Sequence, residues 1–137
     1  MATGMAEMAA TAQGTGWQVA QIDEIPPVKP DWPATWKSVR HFFGITGFGC
    51  NAVTKDAGNV LIPEHDESAS GQQELYFVHA GSVKATIDGE EVMIPAGGAL
   101  GIEPHVKRKL EAAESPTTLL VIGGTPGKAY EIGPWER

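Results

Sequence analysis

The sequence predicts an all-β domain, a sandwich or barrel of many short strands, and three observations carry that reading. Glycine and proline are abundant, 17 and 10 in 137 residues, which calls for many tight turns and little room for long helices. From Val39 onward, short runs rich in β-branched and aromatic residues recur between glycines. Ser82 to Pro95 alternates apolar and polar residues on both sides of Asp88-Gly89. Such a dipeptide between alternating runs is a strong hairpin signal, because glycine accepts the positive φ of a primed turn.

The length suits one domain that can bury an adequate core without disulfides. Residues 1–16 read as a flexible tail of Ala, Thr, Gly and Met, in which Met5 to Ala12 could form a short helix. Residues 17–137 read as the domain. The formal net charge of −7 argues against nucleic acid and anionic lipid as partners. Cys50 is the only cysteine, so no internal disulfide can form. There is no apolar run near the roughly 18 residues of a membrane span. The N-terminus has no basic start and no continuous apolar stretch, so a cytoplasmic location is expected.

The strands are expected as follows. Trp17 to Ile22 alternates enough to be the first. Pro26, Pro27, Pro30 and Pro33 then enforce an extended connection, in which Trp32 and Trp36 cover one end of the core. Val39 to Phe43, Phe48 to Thr54, Val60 to Ile62 and Glu74 to His79 continue the series. The hairpin Ser82 to Pro95, then Ala99 to Ile102, Val106 to Glu111 and Thr118 to Ile122 complete it. The three cations Lys107, Arg108 and Lys109 on one strand read as an edge guard against sheet stacking.

Two stretches narrow the fold. One runs from Gly58 through His65, Glu67, Glu74 and Tyr76 to Gly81; the other spans Gly89-Glu-Glu-Val-Met-Ile-Pro95-Ala-Gly97. With the Asp-Gly hairpin between them they resemble the two motifs of the cupin superfamily, over about residues 39–123. More narrowly, the chain resembles small single-domain bacterial cupins. The resemblance implies a double-stranded β-helix, or jelly-roll, barrel with one divalent metal held by three histidines and a glutamate. Carried over position by position, His65 matches the first histidine and Glu74 the glutamate. Glu67 stands where the second histidine belongs, and the third falls on Leu100, which cannot bind a metal. The metal motif is therefore degenerate. The family also implies a homodimer paired through one sheet.

The residues support this independently. His65 and Glu67 are two apart, so on a strand they share a face, and Glu74 can reach the same space from the next strand. One imidazole and two carboxylates form a mixed N/O set suited to Mn²⁺ or Fe²⁺, with Zn²⁺ also acceptable. Glu74 and Tyr76 share a strand face and should point inward, and a buried carboxylate needs a compensating partner. That partner is either a metal or His65. Glu67 borders Asp66 to Gly71, which reads as a mobile loop, so it is either a ligand or a solvated charge. Tyr76 either orients a ligand or is a core aromatic with a satisfied hydroxyl.

His105 is the histidine nearest the missing third ligand, but after Pro104 it would need an unusual turn to reach the cavity. His79 lies on the strand face opposite Glu74, His41 reads as structural, and Cys50 reads as a buried, inert thiol. Two functional readings stand. In one, His65, Glu67 and Glu74 hold a divalent ion that polarises a small-molecule ligand, with Tyr76, Leu100 and His105 around it. In the other, the chain is a metal-free binding module or a structural dimer without catalysis.

Overall fold

The computed structural model describes residues 12–29 and 34–132. The first eleven residues, with most of the expected tail and its short helix, lie outside the described residues, as do Trp32, Pro30 and Pro33. Ala12–Gly14 (β1) and Trp17–Val19 (β2) form a separate two-stranded ribbon. The first expected strand is thus shorter than Trp17 to Ile22, and Ile22–Glu24 forms a 3₁₀ turn.

The domain consists of two antiparallel sheets packed face to face. The five-stranded sheet has the order β3-β4-β11-β6-β9, from Thr35–Ser38 (β3), Gly49–Lys55 (β4), Thr117–Gly124 (β11), Gln73–Ala80 (β6) and Ala99–Ile102 (β9). The four-stranded sheet has the order β5-β10-β7-β8, from Val60–His65 (β5), Arg108–Ala112 (β10), Ser82–Ile87 (β7) and Glu90–Pro95 (β8). Among the described residues no strand pairing joins the two sheets, so the expected barrel is a pair of facing sheets, open at the seams. Inward-facing Val53, Val78, Val83, Ala85, Leu110 and Leu119, all fully buried, form the core between them. Trp36 packs against this core from β3.

The β7–β8 hairpin forms as the alternation requires: Asp88 and Gly89 have φ of 48° and 86°, the two positive values of a type I′ turn.

Val39 to Phe43 is not the expected strand but a short helix, Val39–Phe43 (α1). Its β-like composition is overruled by its two ends. The His41 amide donates to Ser38 Oγ (3.2 Å), and Gly44 closes the turn at φ 72°, its N–H reaching back to the carbonyls of Arg40 and His41.

The basic run is not an edge guard either. β10 lies between β5 and β7, and Arg108 is completely buried. Arg108 shares strand parity with Leu110 and Ala112, so it points where they point, into the space between the sheets. No helix among the described residues is long and apolar enough to cross a membrane.

Candidate functional site

Strand register assembles the site. On the inner face of the five-stranded sheet, Gly49, Gly123 and Glu74 stand abreast on β4, β11 and β6. Two residues along each strand the row is Asn51, Val121 and Tyr76; two further along it is Val53, Leu119 and Val78. The polar groups therefore crowd one end of the same three strands whose other end is pure core. Across the gap, β10 sets Arg108 directly opposite His65 of β5. A cavity of about 360 Å³ lies at this polar end, with Trp36, Asn51, His65, Glu67, Glu74 and Tyr76 among its lining residues.

The two glycines in the outermost row create its walls. A Cβ on Gly49 would come within 2.8 Å of Tyr130 Oη, and one on Gly123 within 2.8 Å of Gln72 Nε2. Hydrogen at these positions lets Tyr130 and Gln72 lie against the sheet, and both line the cavity.

Three ligating side chains converge there. One donor atom each from His65, Glu67 and Glu74 can be chosen so that all lie within 4.8 Å of one another. His65 Nε2 is 2.9 Å from Glu67 Oε2 and 3.9 Å from Glu74 Oε1. The other ring nitrogen, Nδ1, lies 2.9 Å from the Pro63 carbonyl. A carbonyl oxygen only accepts, so Nδ1 carries a proton and Nε2 is the atom offered to the carboxylates. A contact of 2.9 Å between Nε2 and a carboxylate oxygen requires something between them, either one shared proton or a shared cation.

The loop carrying Glu67, whose composition suggests mobility, is tied by several hydrogen bonds. The Glu67 amide donates to Pro104 O (2.7 Å), Gly71 N donates to Glu67 O (2.8 Å), and Ser70 Oγ donates to Glu67 Oε1 (2.8 Å). Glu67 is thereby turned inward, its side chain 22% exposed.

Glu74 is the most buried of the three, 8% exposed, and its compensation comes from more groups than His65. The Tyr76 hydroxyl donates to Oε1, Gln72 Nε2 donates to Oε2 (2.8 Å), and the Arg108 guanidinium approaches Oε1 through Nη1 at 3.5 Å. Arg108 is anchored in turn by Nη2 donating to Glu103 O (3.0 Å). Burial, then the charge of Glu74, push the Tyr76 phenol well above the ordinary tyrosine range, so it keeps its proton as a donor.

Of the residues singled out from sequence, His65, Glu67, Glu74 and Tyr76 meet in one cavity. Leu100 is paired with Tyr76 in register and packs against the core, while His105 is exposed; neither is among the cavity-lining residues. His79 is exposed, and His41 sits in α1. Cys50 is buried with its thiol pushed upward by desolvation. The sequence reading missed Arg108, Asn51, Gln72 and Tyr130. Arg108 had a legible signal, its parity with Val106 and Leu110. The other three depend on cross-strand register and on the course of the C-terminal segment.

Comparison with solved structures places this architecture. A cupin protein from Bacteroides fragilis superposes with a TM-score of 0.60 at 24% identity, over 80% of this chain and 92% of that one. A sugar phosphate isomerase of the cupin superfamily from Silicibacter pomeroyi gives a TM-score of 0.61 at 20% identity, over 77% and 75%. The cupin domain of Schizosaccharomyces pombe Cnp3 gives 0.63 at 11% identity, over 77% and 72%. At such identities the likeness establishes the fold. No protein-family model and no curated sequence matches the chain.

Proposed function

We propose that this chain, which has the cupin fold, binds a small molecule in the cavity between its sheets, beside a divalent cation held by His65, Glu67 and Glu74. The observation that carries this reading is the convergence of those three side chains, with Nε2 of His65 turned to both carboxylates while Nδ1 is committed elsewhere. This is the arrangement a metal-ligating imidazole adopts, its second nitrogen fixed by a backbone carbonyl. The donor set fits Mn²⁺, Fe²⁺ or Zn²⁺, and three protein ligands leave coordination positions for a ligand oxygen. When bound, such an ion supplies Lewis acidity toward that oxygen.

The remaining residues hold the arrangement. Ser70 fixes Glu67, Gln72 and Arg108 fix Glu74, and Tyr76 keeps a proton on the phenol that faces the Glu74 carboxylate. Trp36 and Tyr130 add aromatic side chains to the cavity lining. The test is elemental analysis of tag-free protein and of His65→Ala and Glu74→Ala. About one equivalent of a transition metal in the wild type, absent from both variants, supports the reading. No metal in the wild type after reconstitution defeats it.

A second reading is a metal-free binding module, favoured by Arg108. Its guanidinium is a permanent cation 3.5 Å from Glu74, and Leu100 occupies the position of the third family histidine. Under this reading the same analysis finds no metal, and a small molecule still binds. We further propose that the chain is a homodimer, consistent with exposed Leu75 and Phe48 on the five-stranded sheet side. Light scattering should return twice 14.5 kDa; a mass of 14.5 kDa would contradict it.

A further inference from the structure

We infer that the ligand of this cavity is an uncharged, hydroxyl-rich small molecule, and that Asn51 reads one of its hydroxyls; this rests on the cavity being the binding site proposed above. Asn51 lines the cavity from β4, is only 7% exposed, and its Oδ1 is buried with no hydrogen-bond donor in reach. An unmatched buried acceptor costs about 1–3 kcal/mol, so an asparagine kept there is accounted for by a donor that arrives with a ligand. With Oδ1 placed as it is here, an ionised phosphate or carboxylate brings only acceptors and leaves it unmatched. A hydroxyl both donates and accepts, and satisfies the amide in either orientation.

The charge of the lining points the same way. Glu67, Glu74 and Glu131 all line the cavity, whereas no lysine or arginine does among the described residues. A divalent cation would offset two of those three charges and leave no surplus for an anion. Arg108 lies fully buried against Glu74 and is not a lining residue. Lys128 lines an adjoining cavity of about 290 Å³. A cationic amine would suit the carboxylates but would be repelled by a metal ion beside them. An acceptor-rich rim with the aromatic side chains of Trp36 and Tyr130 in its lining suits a ring whose edge carries hydroxyls and whose face carries C–H groups.

Calorimetric titration of the metal-loaded protein tests this. The probes are D-glucose, D-mannose, D-xylose and myo-inositol, each paired with a monophosphate of the same compound, and 1,4-diaminobutane. At least one unphosphorylated probe should bind, its monophosphate at least tenfold more weakly, and the diamine not at all. Asn51→Leu should weaken that probe about tenfold, the loss of one hydrogen bond to a buried group, while metal content stays unchanged. Asn51→Asp keeps an acceptor in place and should retain binding; should the Leu variant fail to fold, Asn51→Ser, too short to reach, should show the tenfold loss.

Equal or tighter binding of a monophosphate or the diamine overturns the inference. So does failure of every neutral probe, or unchanged affinity in Asn51→Leu or Asn51→Ser. Metal content is read on the same samples, so polyol binding without metal would contradict the cation and leave this inference standing.

Discussion

The two ends of the inner face of the five-stranded sheet use the same three strands to opposite purpose. At one end Val53, Leu119 and Val78 stand abreast, completely buried, and need nothing but one another. Four residues along each strand stand Gly49, Gly123 and Glu74, where a carboxylate is buried and three donors from elsewhere are aimed at it. The alternation that turns residues inward is identical at both ends. The difference is that the apolar end is specified by strand pattern alone, whereas the polar end is stable only if Tyr76, Gln72 and Arg108 arrive together.

Removing one member of each end measures that difference. Arg108→Met leaves the Glu74 carboxylate without its guanidinium, and breaking a buried pair in this way costs about 3–5 kcal/mol in urea denaturation. The double variant Arg108→Met/Glu74→Gln should recover a large part of the loss, because no uncompensated charge remains. Leu119→Ala at the apolar end should cost about 2–5 kcal/mol, with no partner substitution that restores it. A full loss in the double charge variant would mean that the polar end, too, is held by packing.

A smaller effect separates hydrogen bonding from charge. Tyr76→Phe keeps the ring and removes the phenol that donates to Glu74, which should cost about 1–3 kcal/mol by the same measurement. An unchanged stability would show that Gln72 and Arg108 alone satisfy the carboxylate.

The smallest effect lies on the other side of β4, where Cys50 neighbours Asn51 but takes the opposite strand face. Burial raises its thiol pKa, so the folded chain holds this proton more tightly than the unfolded one. That contribution to stability is complete below the ordinary thiol pKa of about 8.5 and is lost as pH rises through and above it. The rate of iodoacetamide alkylation should accordingly rise at a higher pH in native protein than in urea. Coincident profiles would show that the outer face of β4 is open to solvent.

The same contrast explains what was legible in the sequence. The β7–β8 hairpin and the inward turn of Glu74 with Tyr76 follow from period-two alternation, a local property. Val39–Phe43 carries the composition of a strand, and its helix is decided by Ser38 and Gly44 outside the run. Arg108 was readable from its parity with Leu110, yet a cluster of three cations suggests solvent more strongly than parity suggests burial. Asn51, Gln72 and Tyr130 were not readable. Their place in the cavity comes from which strands become neighbours, and from glycines at 49 and 123 that make room for side chains distant in the chain.

Whether the polar end of the sheet holds a cation is best asked by anomalous diffraction from crystals soaked in Mn²⁺ after chelator treatment. A single strong peak within bonding distance of His65 Nε2 and of carboxylate oxygens of Glu67 and Glu74 is the predicted result. A cavity without a peak under saturating Mn²⁺, or a peak held by other residues, would contradict it.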